Sequence, residues 1–339
     1  MRKITCGLET CFLRKRVWGL VFGVVVLFVS CKTDLRIEDD SKNDLRGVTL
    51  CTWNLQTFFD SVKDGTEYTE FVKSENWNKD AYVSRLVRLT EMMKSVDADV
   101  FIFEEMENAA VIQDISNQLA GKAWNPKYNW NYACFSKAPG SSIGCGVISR
   151  YPLFSVKNHY LDVRTGETQP SMRPLMEVIL EVEGKRITVF VNHWKSKSGG
   201  EEETEVWRDW QENILGRKIE GLCRAVCAGD FNRDIEDFVQ NDNQVVLRVS
   251  GFGDSWECSV ENPWITGDGK PFVGIGSYVF QNQWERIDHI MTYGDVSQEG
   301  FYPLAQDPWC DEKKHPVPFK LYTGYGYSDH LPLWTRLIF

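Results

Sequence analysis

Residues 225–232 read A-V-C-A-G-D-F-N, a short apolar run that ends in Gly229 and then presents Asp230 and, two positions on, Asn232. Residues i and i+2 of an extended chain point to the same side. A carboxylate and an amide therefore converge on one small target, and Gly229 permits close backbone approach. Such a pair suits a hydrated metal ion or a water beside a phosphate, although the same residues are also ordinary turn chemistry. Repetition gives the stretch its weight. Asn54, Glu105 and His193 likewise stand just past apolar runs, whereas Asp288 and His330 stand at or just before the start of one. Hard oxygen ligands suit magnesium, which keeps several waters and needs only one or two carboxylates. The set suits attack on phosphorus, with a cation offsetting phosphate charge and oriented donors stabilising the developing oxyanion. An Asp beside a His holds its tautomer and favours its cationic form.

The elements that must position these residues are mostly strands. Val48 to Asn54 reads as a strand ending at Asn54, followed by a polar stretch from Asp60 to Asn78 that reads as a surface loop. Tyr82, Leu86, Leu89 and Met93 recur at helical spacing. D-V-F-I-F-E-E-M-E-N is an apolar strand running into Glu104 and Glu105, and Asn131–Phe135 and Gly146–Ser149 are further strands. Met176, Val178, Leu180 and Val182 alternate with polar or half-exposed positions, and Gly184-Lys185 turns into a partner from Arg186 to Val191. Val206, Trp210 and Ile214 predict a helix. Beyond Asn232 the expected strands are shorter, at Tyr278–Phe280, Ile287–Met291 and Leu331–Ile338. In mixed sheets strand starts and strand ends share a rim, so the polar groups gather at one end of a layered α/β architecture.

The 339-residue chain has a formal net charge of -10, which argues against a protein that coats nucleic acid nonspecifically but leaves room for a local basic rim. Arg2, Lys3 and Arg14–Arg16 precede an apolar run from Val17 to Val29, too short for a comfortable membrane span. Phe28-Val29-Ser30-Cys31 resembles a relaxed bacterial lipobox. It predicts a lipoprotein-type signal over 1–30, lipidation at Cys31, a polar tether over 31–46 and one domain over 47–339. The expected location is outside the cytoplasm, membrane-anchored in the periplasm or at the cell surface, with plain secretion as the alternative. Besides Cys31, seven cysteines remain. They do not read as a disulfide framework, and Cys223 and Cys227 lack the neighbours a zinc site needs.

W-N-L-Q (53–56), F-E-E-M-E-N (103–108), N-H-W-K-S-K (192–197), G-D-F-N (229–232), R-I-D-H (286–289) and S-D-H-L-P (328–332) occur in this order. The ordered set resembles the endonuclease/exonuclease/phosphatase superfamily, which includes DNase I-like and exonuclease III-like enzymes. The resemblance spans nearly the whole mature chain. It implies a four-layered α/β sandwich of two packed mixed sheets and magnesium-dependent phosphoester hydrolysis, with manganese or calcium as substitutes. Position by position, it implies that Glu105 is the principal metal ligand with Asn54 beside it and Asp329 nearby. It implies that Asp230 and Asn232 orient water, that His193 binds phosphate oxygens, and that Asp288 partners His330. Arg173, in S-M-R-P, stands where many members have a phosphate-contacting arginine. One departure is Glu104, where a Gln commonly precedes the metal glutamate; strand alternation turns Glu104 to the opposite face.

Other polar residues have plainer readings. Glu104, Glu107 and Glu201–Glu203 read as solvated faces rather than ligands, and His159, His289 and His315 as structural or surface residues. Lys195 and Lys197 are either a solvated strand end or a phosphate-facing rim. The combined reading is a monomeric metal-dependent phosphodiesterase that cleaves nucleic acid, DNA favoured over RNA, as an endonuclease. One alternative is a phospholipid, sphingomyelin or inositol-phosphate phosphoesterase on the same core. Its substrate contact would be an aromatic loop at 262–272 carrying Trp264, Ile265 and Phe272, a segment whose more ordinary reading is a packed surface loop. A second alternative is an inactive surface binding protein, which has no physical need for the whole set of polar residues.

Overall fold

Apolar strands from the two halves of the chain pack face to face in the computed structural model, which describes residues 11–13, 47–120, 129–162, 169–251, 254–265 and 274–339. The first sheet contains β2 (Gly47–Phe58), β3 (Val100–Met106), β4 (Tyr132–Ser136), β5 (Gly144–Ser149), β16 (Ser297–Pro303) and β17 (Leu333–Ile338). Their order is β4-β5-β3-β2-β17-β16, with the short β1 (Cys11–Leu13) paired at the β4 edge. The second sheet contains β6 (Leu153–His159), β7 (Leu175–Val182), β8 (Lys185–His193), β9 (Arg224–Asp230), β10 (Val239–Asn241), β11 (Gln244–Gly251), β12 (Asp254–Glu261) and β15 (Asp288–Gly294). Their order is β10-β11-β12-β15-β9-β8-β7-β6. Both sheets are mixed: β2 runs parallel to β3 and β8 parallel to β9, while the neighbouring pairs are antiparallel. A small hairpin, β13 (Tyr278–Phe280) with β14 (Gln283–Glu285), stands apart from both sheets.

Period-two alternation sorts the side chains into layers. Leu50, Val100, Ile102 and Val147 face Met176, Val178, Leu180 and Val191 between the sheets. On the outer side of the first sheet, Trp53, Phe101 and Phe103 meet α2 (Lys79–Val96) and α3 (Ala109–Ala120) through Leu86, Leu89, Met93, Ile112 and Ile115. Each such side chain, once buried, contributes about 1.5–3 kcal/mol. The fourth layer, α4 (Glu201–Ile219), covers the second sheet through Leu215 and Ile219. The four-layered sandwich expected from the resemblance is the fold observed.

Several local expectations differ from the structure. Strand β2 does not end at Asn54 but continues to Phe58, with a register shift between Asn54 and Phe58 and left-handed backbone at Gln56 and Thr57. The stretch Asp60–Asn78 is not merely a surface loop; it contains the helix α1 (Thr69–Lys73) and buries Phe71 and Trp77 against Phe59. Helix α3 was not legible as a separate element, although Asn108 caps it by accepting from Ala110 N and Val111 N, a cap of about 1 kcal/mol. Strands β11 and β12 are eight residues each, not short. Helix α4 is turned from its predicted face, with Val206 44% exposed and Trp207, Arg208, Gln211 and Glu212 buried. Buried Arg233 explains the turn. Its guanidinium pairs with Glu212 at 2.5 Å, Asp209 at 2.7 Å and Glu205, so α4 buries a polar face that apolar periodicity does not report.

The leader, Cys31 and the tether fall outside the described residues apart from 11–13. Among the described residues no helix is long and apolar enough to cross a membrane, and the seven cysteines from Cys51 to Cys310 are free.

Candidate active site

Three adjacent strands of the second sheet align the central row. His193 ends β8 in parallel register with Asp230, which ends β9, and Asp230 stands in antiparallel register with Asp288, which opens β15. Gly229 makes the first approach possible: at its φ of 130°, an added Cβ would lie 2.1 Å from Asn192 O. The last segment of the chain then brings His330 into the row, its Nδ1 2.8 Å from Asp288 Oδ2. Its backbone is held by Ser328 Oγ, which accepts His330 N–H, and by Trp53 Nε1, which donates to His330 O. The Tyr278 ring lies over the imidazole at 4.8 Å between centroids.

The first sheet supplies Asn54 and Glu105 from its parallel pair. Asn54 Nδ2 donates to Asp230 Oδ2 at 3.0 Å and makes a long contact of 3.4 Å to Glu105 Oε1. Glu105 has a φ of 62°, a conformation uncommon for a residue with a side chain. The backbone turn breaks strand alternation at the end of β3, where pairing with β5 also shifts register. It brings the carboxylate to the rim, where Thr57 N–H holds Oε2 at 2.7 Å. His193 Nε2 is 3.7 Å from Glu105 Oε1 and 3.8 Å from Asp230 Oδ2. Asn232, also left-handed at φ 48°, returns its N–H to Asp230 Oδ1 at 2.8 Å and its Nδ2 to Asp230 Oδ2 at 3.0 Å.

These residues open on a cleft of about 550 Å³ lined by Asn54, Glu105, His193, Asp230, Asn232, Asp329 and His330. The structure thus brings together eight of the predicted residues, counting Asp288 behind His330. The three basic residues are placed differently. Lys197 lines the cleft but is paired with Glu201 at 2.6 Å and lies 3.7 Å from Glu285. Lys195 turns back onto its own loop, donating to Ser196 O and Ser198 O. Arg173 lies behind the row, donating to Trp194 O at 3.2 Å and lining a smaller cavity with His193.

Electrostatics separates the two histidines. Burial, with help from Arg173, holds His193 well below the usual imidazole range and therefore neutral. Its Nδ1 is buried with no hydrogen-bond partner among the described residues. A buried N–H without an acceptor costs a full desolvation penalty, so the proton belongs on Nε2, facing the cleft. His330 is held well above the usual range, against its own burial, by Asp288 and is cationic at neutral pH. Asp230 is pushed up to about 7 by burial and by Asp288 beside it. Hard oxygen donors gathered in this way fit a divalent cation, and Glu105, Asn54 and Asp329 line the same cleft.

Three readings from sequence are corrected here. Glu104 does not turn away from the site; it is buried between the sheets beneath it, accepts from Thr52 Oγ1 at 3.0 Å, and leaves Oε2 without a partner. Burial and the neighbouring Asp288 and Asp230 raise its carboxyl well above the usual range. Glu107 is not a solvated residue but fully buried. Of the two readings of the 262–272 segment, the aromatic contact fails and packing holds for Trp264 and Ile265, which are 0% and 5% exposed. Trp264 Nε1 donates to Asp288 O at 2.8 Å, which braces the strand carrying Asp288. Phe272 lies outside the described residues. His289 is structural as expected, bridged between Arg233 O and Asn262. The sequence reading missed Tyr278 and Phe280 as cleft residues; Phe280 is 51% exposed at the rim.

Comparison with known proteins gives a consistent picture. The profile of the Endonuclease/Exonuclease/phosphatase family matches residues 49–337. No curated protein sequence matches the chain significantly. Among solved structures, a humanized D. rerio TDP2 carrying 14 mutations is similar at 16% identity and a TM-score of 0.54, covering 86% of this chain and 99% of that one. A Bacteroides thetaiotaomicron protein of the endonuclease/exonuclease/phosphatase family aligns at 14% identity and 0.53, covering 87% and 98%. The human Nocturnin catalytic domain with bound sulfate aligns at 15% and 0.53, covering 86% and 94%.

Proposed function

Because the chain belongs to the endonuclease/exonuclease/phosphatase family, a family of metal-dependent phosphoester hydrolases, we propose that it is a magnesium-dependent phosphodiesterase acting on nucleic acid, DNA in particular, as an endonuclease. The observation that carries the proposal is the in-register row His193–Asp230–Asp288, completed by His330 and met by Glu105 and Asn54 from the other sheet. Glu105, Asn54 and Asp329 would hold the cation, which when bound offsets charge on a phosphate oxygen.

The remaining roles follow from this chain's own groups. Asp230, fixed by three N–H donors from Asn54 and Asn232, accepts a hydrogen bond from the attacking water and aligns it for in-line approach to phosphorus. Neutral His193 donates Nε2–H to a phosphate oxygen. Cationic His330, anchored through Nδ1 to Asp288, donates from Nε2 to the charge that develops on the oxygens around phosphorus. Such positioned donors typically contribute 10²–10³-fold each. Lys197 reaches a phosphate backbone once it exchanges Glu201 for it, and Lys195 and Arg173 support the same wall. Phe280 at the rim offers a face for a base flanking the cleaved phosphate. Export and anchoring through Cys31 complete the proposal, on the pattern of the leader.

The test is incubation of plasmid DNA, RNA, sphingomyelin and inositol phosphates with the protein, with magnesium and with EDTA, beside His193→Ala and Asp230→Ala. Magnesium-dependent plasmid nicking, lost in both variants, is the expected outcome. Release of phosphate or phosphocholine without nucleic-acid cleavage would overturn the substrate while keeping the mechanism. Silence on every substrate would overturn the enzymatic reading.

A further inference from the structure

A second acidic cluster lies outside the cleft, where the connection from β2 to α1 meets the end of β3. Glu107 is fully buried. Its Oε2 accepts Asp60 N–H at 2.5 Å, while its Oε1 has no donor among the described residues. One oxygen each from Asp64, Glu67 and Glu107 lies within 4.8 Å of the other two. Asp60, whose Oδ2 accepts from Asn108, is the third carboxylate acting on Glu107, beside Asp64 and Glu67. The Lys63 ammonium donates to Val72 O at 2.6 Å, and Thr66, with help from Lys137, holds the outer member, Asp64, below the usual carboxylate range.

The loop itself gathers the carboxylates. Glu67 accepts Asp64 N–H at 2.6 Å and Gly65 N–H at 2.8 Å, and Asp64 Oδ1 accepts both donors of Thr66. A buried carboxylate oxygen without a donor beside further acids is unfavourable unless a cation or a proton answers it, and burial with the neighbouring acids pushes the Glu107 carboxyl up to about 7. The donors are oxygen only. Calcium takes about six to eight oxygen ligands and accepts several protein carboxylates, whereas magnesium keeps several waters and is held by one or two carboxylates. We propose that Asp64, Glu67 and Glu107, with Asp60 beside them, bind a divalent cation of the calcium class at a site separate from the catalytic cleft.

Occupancy would tie the loop after β2 to the end of β3. Those are the two segments that frame Glu105, through Thr57 N–H on its Oε2 and Glu107 N–H on Phe58 O at 3.1 Å. The proposal does not depend on the substrate or the reaction. Calorimetric titration of calcium into the full-length Glu105→Gln protein, in which the cleft has lost its principal ligand, isolates the second site. The expected result is one binding event with a Kd of about 10⁻⁴–10⁻³ M, the range of exposed calcium modules. Adding Asp64→Asn and Glu67→Gln, both on the exposed loop and outside the core, should weaken it at least about tenfold and abolish the rise in Tm on adding calcium. No binding at millimolar calcium in Glu105→Gln overturns the site. Undiminished binding in the combined variant overturns it equally.

Discussion

Asp230 and Asp288 stand directly opposite each other in antiparallel register, one ending its strand and the other opening its own. Two carboxylates so placed repel, and the structure divides their tasks. Asp288 spends an oxygen on His330 Nδ1, while Asp230 is held by the amides of Asn54 and Asn232.

Replacing Asp288 with Asn should therefore act through His330. Activity should fall roughly 10²–10⁴-fold, the range for loss of a positioned acid–base group. Asp288 is what keeps His330 charged, so its removal lets the proton leave at lower pH. The alkaline limb of the pH–rate profile should move downward in pH. An unchanged limb would remove His330 from the role of cationic donor.

Glu105→Gln and Asp230→Asn should be separable by their metal dependence. In Glu105→Gln the magnesium concentration for half-activity should rise by more than the roughly 10–100-fold that loss of an outer partner costs. In Asp230→Asn the maximal rate should fall with a smaller change in that concentration. Identical magnesium titrations of the two variants would refute the division between holding the cation and orienting water.

Glu104 predicts a pH-dependent stability. Its folded carboxyl lies well above the ordinary range, so the native state keeps a proton that the unfolded chain loses from about pH 4.3 upward. Its contribution is fully present below that pH and declines as pH rises toward the folded value, by up to about 1.4 kcal/mol per pH unit. Glu104→Gln removes this decline. Urea unfolding in EDTA at pH 5 and pH 8 should show the variant losing less stability over the interval than the native protein. Parallel losses would mean that Glu104 is ionised in the fold.

Phe280→Ala should raise KM for an oligonucleotide by roughly 5–150-fold, the equivalent of about 1–3 kcal/mol of base stacking. A small chromogenic phosphodiester, which has no flanking base, should be cleaved as before. Equal effects on both substrates would make Phe280 a structural part of the hairpin.

Palmitate labelling should attach to the native protein and disappear in Cys31→Ala, which should also leave the membrane fraction. Retention of the label would place the anchor elsewhere.

The sequence by itself determined which residues stand at strand ends, because apolar runs and their terminating polar groups are local patterns. Glu105, His193, Asp230, Asp288 and His330 were legible that way, as were the helix through Leu86 and Leu89 and the alternating strand through Val178 and Leu180, whereas Asn54 lies inside a strand that runs on to Phe58. Only the tertiary structure decided how they meet: Asn54 and Asp230 are 176 residues apart in the chain yet share a hydrogen bond. It also decided what alternation misjudged. The left-handed backbone at Glu105 carries that carboxylate to the rim, while Glu104 lies buried between the sheets. Lys195 and Lys197, alike in sequence, divide between a loop contact and an acidic partner. Trp264 is packed under Asp288, and Glu107 is buried beside a loop that reads as plain surface. The two lysines are divided by partners within four residues; in the other cases the deciding partner comes from a distant segment or from a backbone angle that residue type leaves open, so local periodicity carries no record of it.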